Sequence, residues 1–73
     1  MYNQLRDYTH ALEDAETAIK LDPKDSEAYQ NAGLANTYIG DFAQAINYFN
    51  QAIDLKPTYV LAYHNRGAAY AAK

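Results

Sequence analysis

Two histidines, an acidic stretch and a pair of asparagines are the residues of this chain whose types could do chemistry. His10 and His64 lie far apart in sequence, and a metal site needs three or four converging ligands. They read as surface residues, and no metal site is expected. Glu13, Asp14 and Glu16 could hold a cation or supply a proton. On a helix, however, Glu16 can pair with Lys20 at i, i+4 for about 0.3 kcal/mol, and a solvated face explains the stretch. No combination of nucleophile, base and orienting group and no Gly-rich phosphate loop is present. The expectation is a non-enzyme without a cofactor.

Composition narrows the classes further. The chain has 73 residues and no cysteine, so it makes at most one domain and carries neither disulfides nor thiolate metal sites. Nine Asp and Glu outweigh six Lys and Arg, for a net charge of −3. The basic footprint of a nucleic-acid binder is missing, and nucleic acid is not an expected partner. No apolar run approaches the roughly 20 residues that span a bilayer. Met1 to Asp7 lacks the basic and apolar regions of a signal peptide. A cytoplasmic protein or fragment, not bound to membrane, is the default expectation.

The asparagines belong to a larger pattern. Asn31 and Asn65 are 34 residues apart, and the same shift pairs Asp7 with Asp41, Ala11 with Ala45, Ala18 with Ala52, Pro23 with Pro57, Tyr29 with Tyr63 and Gly33 with Gly67. Self-similarity at that period is the signature of stacked supersecondary units. Pro23 and Pro57 follow apolar-periodic segments and mark turns. Gly40 can take the left-handed conformation of a helix C-terminus. Asp41 follows as an N-cap, with Gln44 completing a capping-box pattern. Four helices result, over about 2–21, 26–39, 42–55 and 60–72. Short loops make consecutive helices antiparallel neighbours. Gly33 and Gly67 lie mid-helix, where glycine costs about 1 kcal/mol relative to alanine. That cost makes sense where another helix or a large side chain crosses closely.

These residues resemble the tetratricopeptide repeat family, whose 34-residue helix-turn-helix unit carries small, aromatic and proline residues at fixed positions. Tyr29, Ala32-Gly33, Ala45, Phe49, Ala52 and Pro57 match that pattern in order. Residues 26–59 look like one complete repeat. Residues 1–25 look like the second helix of a preceding partial repeat, and residues 60–73 like the first helix of a following one. The resemblance implies an all-α domain of antiparallel hairpins stacked as a short right-handed solenoid. Departures fall at Asn36, where the family has an aromatic, and at Ala32 and Arg66, where it has Leu. Ala32 and Asn36 thin the packing of the central hairpin. Arg66 can lay its apolar stem along the interface. Arg6 stands where Gly40 stands one repeat later. An Arg in a left-handed turn costs about 1–2 kcal/mol, so Met1 to Lys20 is expected to run as one helix.

For function, the resemblance implies a protein-interaction scaffold that holds a peptide or partner helix on a concave face. Groove candidates are Glu27, Gln30, Asn31, Leu34 and Tyr38 on one helix, and Leu61, His64, Asn65 and Ala68 on the next. Relatives that grip a C-terminal carboxylate combine Asn with Lys and Arg. Asn31 and Asn65 match the asparagine, but Gln30 and His64 stand where the lysine belongs, and the clamp is incomplete. Most tyrosines read as interhelix packing, with Tyr38 and Tyr59 as surface contacts.

Neither end of the chain has a polar capping helix, which motivates an alternative function. The last helix is expected to expose Tyr63, Gly67 and Tyr70. The first is expected to offer Tyr8, Ala11, Leu12, Ala15 and Ile19. Stacking one copy's end on another's gives a heterologous contact and a homo-oligomer.

Overall fold

In the computed structural model, which describes residues 4–73, helices follow one another in the order α1 (Gln4–Leu21), α2 (Ser26–Ile39), α3 (Phe42–Leu55) and α4 (Val60–Ala72). No strand occurs among the described residues. The helix boundaries agree with those read from the prolines and Gly40. Helix α1 passes through Arg6 without turning. The first three residues of the expected continuous helix lie outside the described ones.

Each helix packs mainly on its sequence neighbours, α1 on α2, α2 on α3 and α3 on α4, with a smaller contact between α2 and α4. This is the antiparallel hairpin arrangement of helical repeats, in which each unit touches only those beside it. Alanine sets the close approach: Ala32, Ala45, Ala52, Ala62 and Ala69 are all fully buried. Among the described residues, two clusters form the core. One joins Tyr29 of α2 to Ala52 and Ile53 of α3 and Ala62 of α4, with Ile19, Tyr48 and Tyr59 packed around it. The other joins Ala45, Ile46 and Phe49 of α3 to Ala69 of α4. The Phe49 ring lies on Gly33, where an added Cβ would come within 2.6 Å of it. The expected close crossing is therefore made by a side chain.

The turns are closed by backbone and carboxylate groups. Gly40 has φ of 100°, the left-handed region that glycine enters without steric cost. Its N–H and that of Asp41 both reach the Asn36 carbonyl at 2.9 Å, and the Gly40 N–H also reaches Thr37. These bonds satisfy the carbonyls that a helix end leaves open. The Asp41 carboxylate then accepts from the Gln44 N–H at 3.3 Å, capping α3. The reciprocal half of the expected capping box fails here, because the Asp41 N–H already closes α2. Asp25 caps α2 by accepting from the Glu27 N–H. Across the same turn, the Tyr29 hydroxyl donates to the Pro23 carbonyl at 2.9 Å, tying the loop to the core.

Candidate functional site

Helix α2 is enclosed by α1, α3 and, in part, α4. Only a narrow strip of it stays open, along Glu27, Asn31, Leu34 and Tyr38. Their spacing of four, three and four residues is one face of an α-helix. The strip forms one wall of a groove of about 530 Å³ whose other wall is α1, through Ala11, Ala15 and Ala18. Small side chains on α1 let the groove reach down to Ala28 and Ala35 on α2. The floor is thus apolar and backbone-deep.

The two ends of the groove differ. At one end Tyr8 of α1 and Tyr38 of α2 stack, with centroids 4.5 Å apart and planes 15° from parallel. Such a pair adds about 0.5–1.5 kcal/mol beyond its buried area and holds the two walls together. The other part of the lining is acidic. It carries Asp14, Asp25 and Glu27, with no Lys or Arg among the described lining residues.

Tyr59 lies near the start of α2, and its pKa is raised, first by burial and then by the fields of Glu27 and Asp25. Tyr48 is raised by burial and by its hydrogen bond to Glu16. That bond, 3.0 Å from the Tyr48 hydroxyl to Glu16 Oε2, engages the carboxylate the sequence pairs with Lys20.

The structure gathers some of the expected groove residues and separates others. Glu27, Asn31, Leu34 and Tyr38 line the groove together. Gln30 does not. It is only 2% exposed, and its Oε1 has no hydrogen-bond partner. A residue next to Asn31 is rotated about 100° round the helix, which carries Gln30 off the open strip and into the interior. Leu61 and His64 are exposed on α4 and Asn65 is half-buried there, none of them lining this groove. The groove between α1 and α2 thus includes Asn31 and not Asn65.

Of the residues expected to serve contact between copies, Tyr63 and Tyr70 are exposed, at 43% and 56%. No atom lies within 4 Å of where a Gly67 Cβ would sit. Tyr8 belongs to the groove and Leu12 is half-buried. Ile19 departs from the expectation of a free terminal face, since it packs against the core cluster around Tyr29. Tyr59 is likewise packed there, with the Lys56 ammonium 4.9 Å from its ring centroid. Of the α1 wall, sequence reasoning named Tyr8, Ala11 and Ala15 only as a face for another copy, and it left out Asp14 and Ala18, as it did Asp25. The 34-residue comparison contained the signal, because these positions align with Tyr48, Ala52 and Tyr59.

The arrangement offers binding surface. Among the described residues no group of three or more His, Asp or Glu is placed to hold a metal ion. None of the described helices is long and apolar enough to cross a membrane.

Comparison with known proteins agrees with this architecture. Residues 33–73 match the TPR repeat family and residues 1–25 match the tetratricopeptide repeat. The photosystem I assembly protein Ycf3 of Cyanophora paradoxa is 38% identical over 69 residues, covering 90% of this chain and 40% of that protein. The Hsp70-Hsp90 organizing protein 2 of Arabidopsis thaliana is 33% identical over 61 residues, covering 84% of this chain and 11% of that protein. Heat shock protein STI1 of Saccharomyces cerevisiae is 32% identical over 54 residues, covering 74% of this chain and 9% of its own length. The chain thus spans from about a tenth to two fifths of these relatives. With the repeat period, the hairpin packing and the matches to both halves, the chain belongs to the tetratricopeptide repeat family, whose members are protein-interaction modules.

Proposed function

We propose that the chain is a protein-interaction module that holds a peptide or a partner helix in the groove between α1 and α2. The groove itself carries this conclusion: an alanine floor, the open strip from Glu27 to Tyr38, and a volume of about 530 Å³. Pockets of that size with a few fixed polar groups are where proteins bind ligands. The names of its relatives, organizers of chaperones and an assembly protein, support a role in bringing proteins together. The Asn31 amide can both donate and accept, and it suits the backbone of a bound segment.

The test is to map bound peptides on the isotope-labelled chain by NMR. Shift changes are expected at Ala11, Ala18, Asn31 and Leu34, and Leu34→Glu should abolish them while leaving helicity unchanged. Changes centred on Tyr63 and Tyr70 instead would refute this site.

Self-association is the second function, favoured by the open face at Gly67 between exposed Tyr63 and Tyr70. It predicts that sedimentation shows larger species as concentration rises and that Tyr70→Glu dissolves them. A monomer from micromolar to millimolar concentration rules it out.

A further inference from the structure

Oxidation by one electron falls on tyrosine in this chain. The sequence has eight tyrosines and neither cysteine nor tryptophan, so no thiol or indole competes for the oxidant. Among the described residues two pairs of tyrosine rings meet, and they differ. Tyr29 and Tyr48 have centroids 6.3 Å apart and planes 44° from parallel. Their hydroxyls are engaged, Tyr29 donating to the Pro23 carbonyl and Tyr48 to Glu16, and Tyr29 is buried. Tyr8 and Tyr38 instead stack, at 4.5 Å and 15°. Tyr38 is exposed and Tyr8 half-buried, so water reaches the pair.

A helix packed on α1 and α2 would leave this pair open. A shift of 34 residues carries Tyr8 to Phe42 on α3 and Tyr38 to Ala72 on α4, and α2 packs on both of those helices. With α2 in place Phe42 is still only half-buried and Ala72 is exposed. The stacked rings thus occupy a position that stays at the surface when the neighbouring helix is present.

We propose that Tyr8 and Tyr38 form an oxidative cross-linking site, at which a one-electron oxidant of the peroxidase class, with hydrogen peroxide as the final acceptor, joins the two rings and locks α1 to α2. Each ring gives one electron to the oxidant and its phenolic proton to water. Two phenoxyl radicals result, with spin density on the oxygen and on the Cε carbons. A turn of the exposed Tyr38 ring about its Cα–Cβ bond brings Cε to Cε, and the radicals pair as a carbon–carbon bond. The hydrogen on each bonded Cε then moves through water to the oxygen, restoring two phenols. In all, two electrons and two protons leave, and hydrogen peroxide takes them up to become two waters. The stack supplies proximity, since radicals held ring against ring couple before other reactions consume them. The bond closes a loop from Tyr8 to Tyr38 and removes conformations from the unfolded chain, as a disulfide does.

The probe is a photo-excited ruthenium polypyridyl complex with persulfate as electron acceptor, a one-electron oxidant that also works in urea. It is applied to the intact chain at low concentration, folded and in urea. Mass mapping of the folded sample is expected to find a monomer lighter by two hydrogens, with Tyr8 joined to Tyr38 and dityrosine fluorescence. The yield of that link should be at least about tenfold higher in the folded chain than in urea. The thermal midpoint of the purified cross-linked monomer should rise by roughly 10 °C or more. Tyr8→Phe and Tyr38→Phe keep a ring in the stack and lack the phenol. Each should retain the circular dichroism of the parent and lose the internal link.

An internal link that survives in either variant, or that maps to Tyr29 and Tyr48, refutes the site. Equal yield in urea does the same, because the fold would then have no part in the coupling. Links formed only between copies, through the exposed Tyr63 and Tyr70, also refute it. A cross-linked monomer whose midpoint is unchanged means that the rings met in a loosened chain, and it overturns the locking of α1 to α2.

Discussion

Phe49 lies directly on Gly33: a Cβ at that glycine would meet Cε1 at 2.6 Å and Cδ1 at 2.7 Å. Gly67, one repeat later, meets nothing within 4 Å. The same residue in the same register is thus required by contact in one helix and carries only its propensity cost in the other. Gly33→Ala should gain about 1 kcal/mol of helix propensity and lose more, about 2–3 kcal/mol, to overpacking against a buried ring. Gly67→Ala should stabilise by about 0.8 kcal/mol. Urea denaturation of both variants reads the opposite signs, and a loss of stability in Gly67→Ala would show that its face is covered in solution.

Gln30 buries a carbonyl oxygen without a partner. Such a group forfeits its bond to water with nothing in return. Methionine has nearly the same length and no amide. Gln30→Met is expected to raise stability by about 1 kcal/mol, visible as a higher thermal midpoint. An unchanged or lowered midpoint would mean that the amide has a hydrogen-bond partner in solution.

Asp25 caps α2 through its side chain, whereas Tyr59, at the same register, starts α4 without a side-chain cap bond. Asp25→Ala should cost about 1 kcal/mol, and Asp25→Asn close to nothing. Amide exchange should likewise be faster in the first turn of α4 than in the first turn of α2.

Tyr48 and Tyr59 have pKa values raised from the ordinary 10.0, mainly by burial. The fold favours their neutral forms, so their contribution to stability is complete below pH 10 and is lost as pH rises through the folded-state values. Stability should therefore decline on the alkaline side, starting near pH 10. A chain with Tyr48→Phe and Tyr59→Phe should show a shallower decline above pH 10. Identical alkaline profiles would assign the loss to other groups.

The hairpins were legible in the sequence because proline, glycine and the repeat leave few choices. Pro23, Gly40 and Pro57 delimit α2 and α3, and Gly33 announced a close crossing. The groove was only partly legible. Glu27, Asn31, Leu34 and Tyr38 follow from helical spacing, but Gln30 is adjacent to Asn31 in sequence. Which of the two faces outward depends on the angle at which α3 and α4 close on α2, a tertiary quantity that periodicity does not contain. Asp14 and Ala18 were hidden for a related reason. Their helix read as a terminal face for another copy, whereas it also forms the side wall of a cleft with α2. Asp25 was legible in principle as a residue of N-capping type before an apolar-periodic run.

Asp41 gives its N–H to the end of α2 and its carboxylate to the start of α3. One residue thus completes the hydrogen bonding of two helices, and neither terminus can fray without loosening the other. The hairpin behind the groove is coupled through that residue into a single cooperative block. The seam between α1 and α2 is fastened differently, by stacked rings at one end and the Tyr29 bond to Pro23 at the other. A partner that loosens that seam therefore leaves in place the residue that α2 and α3 share.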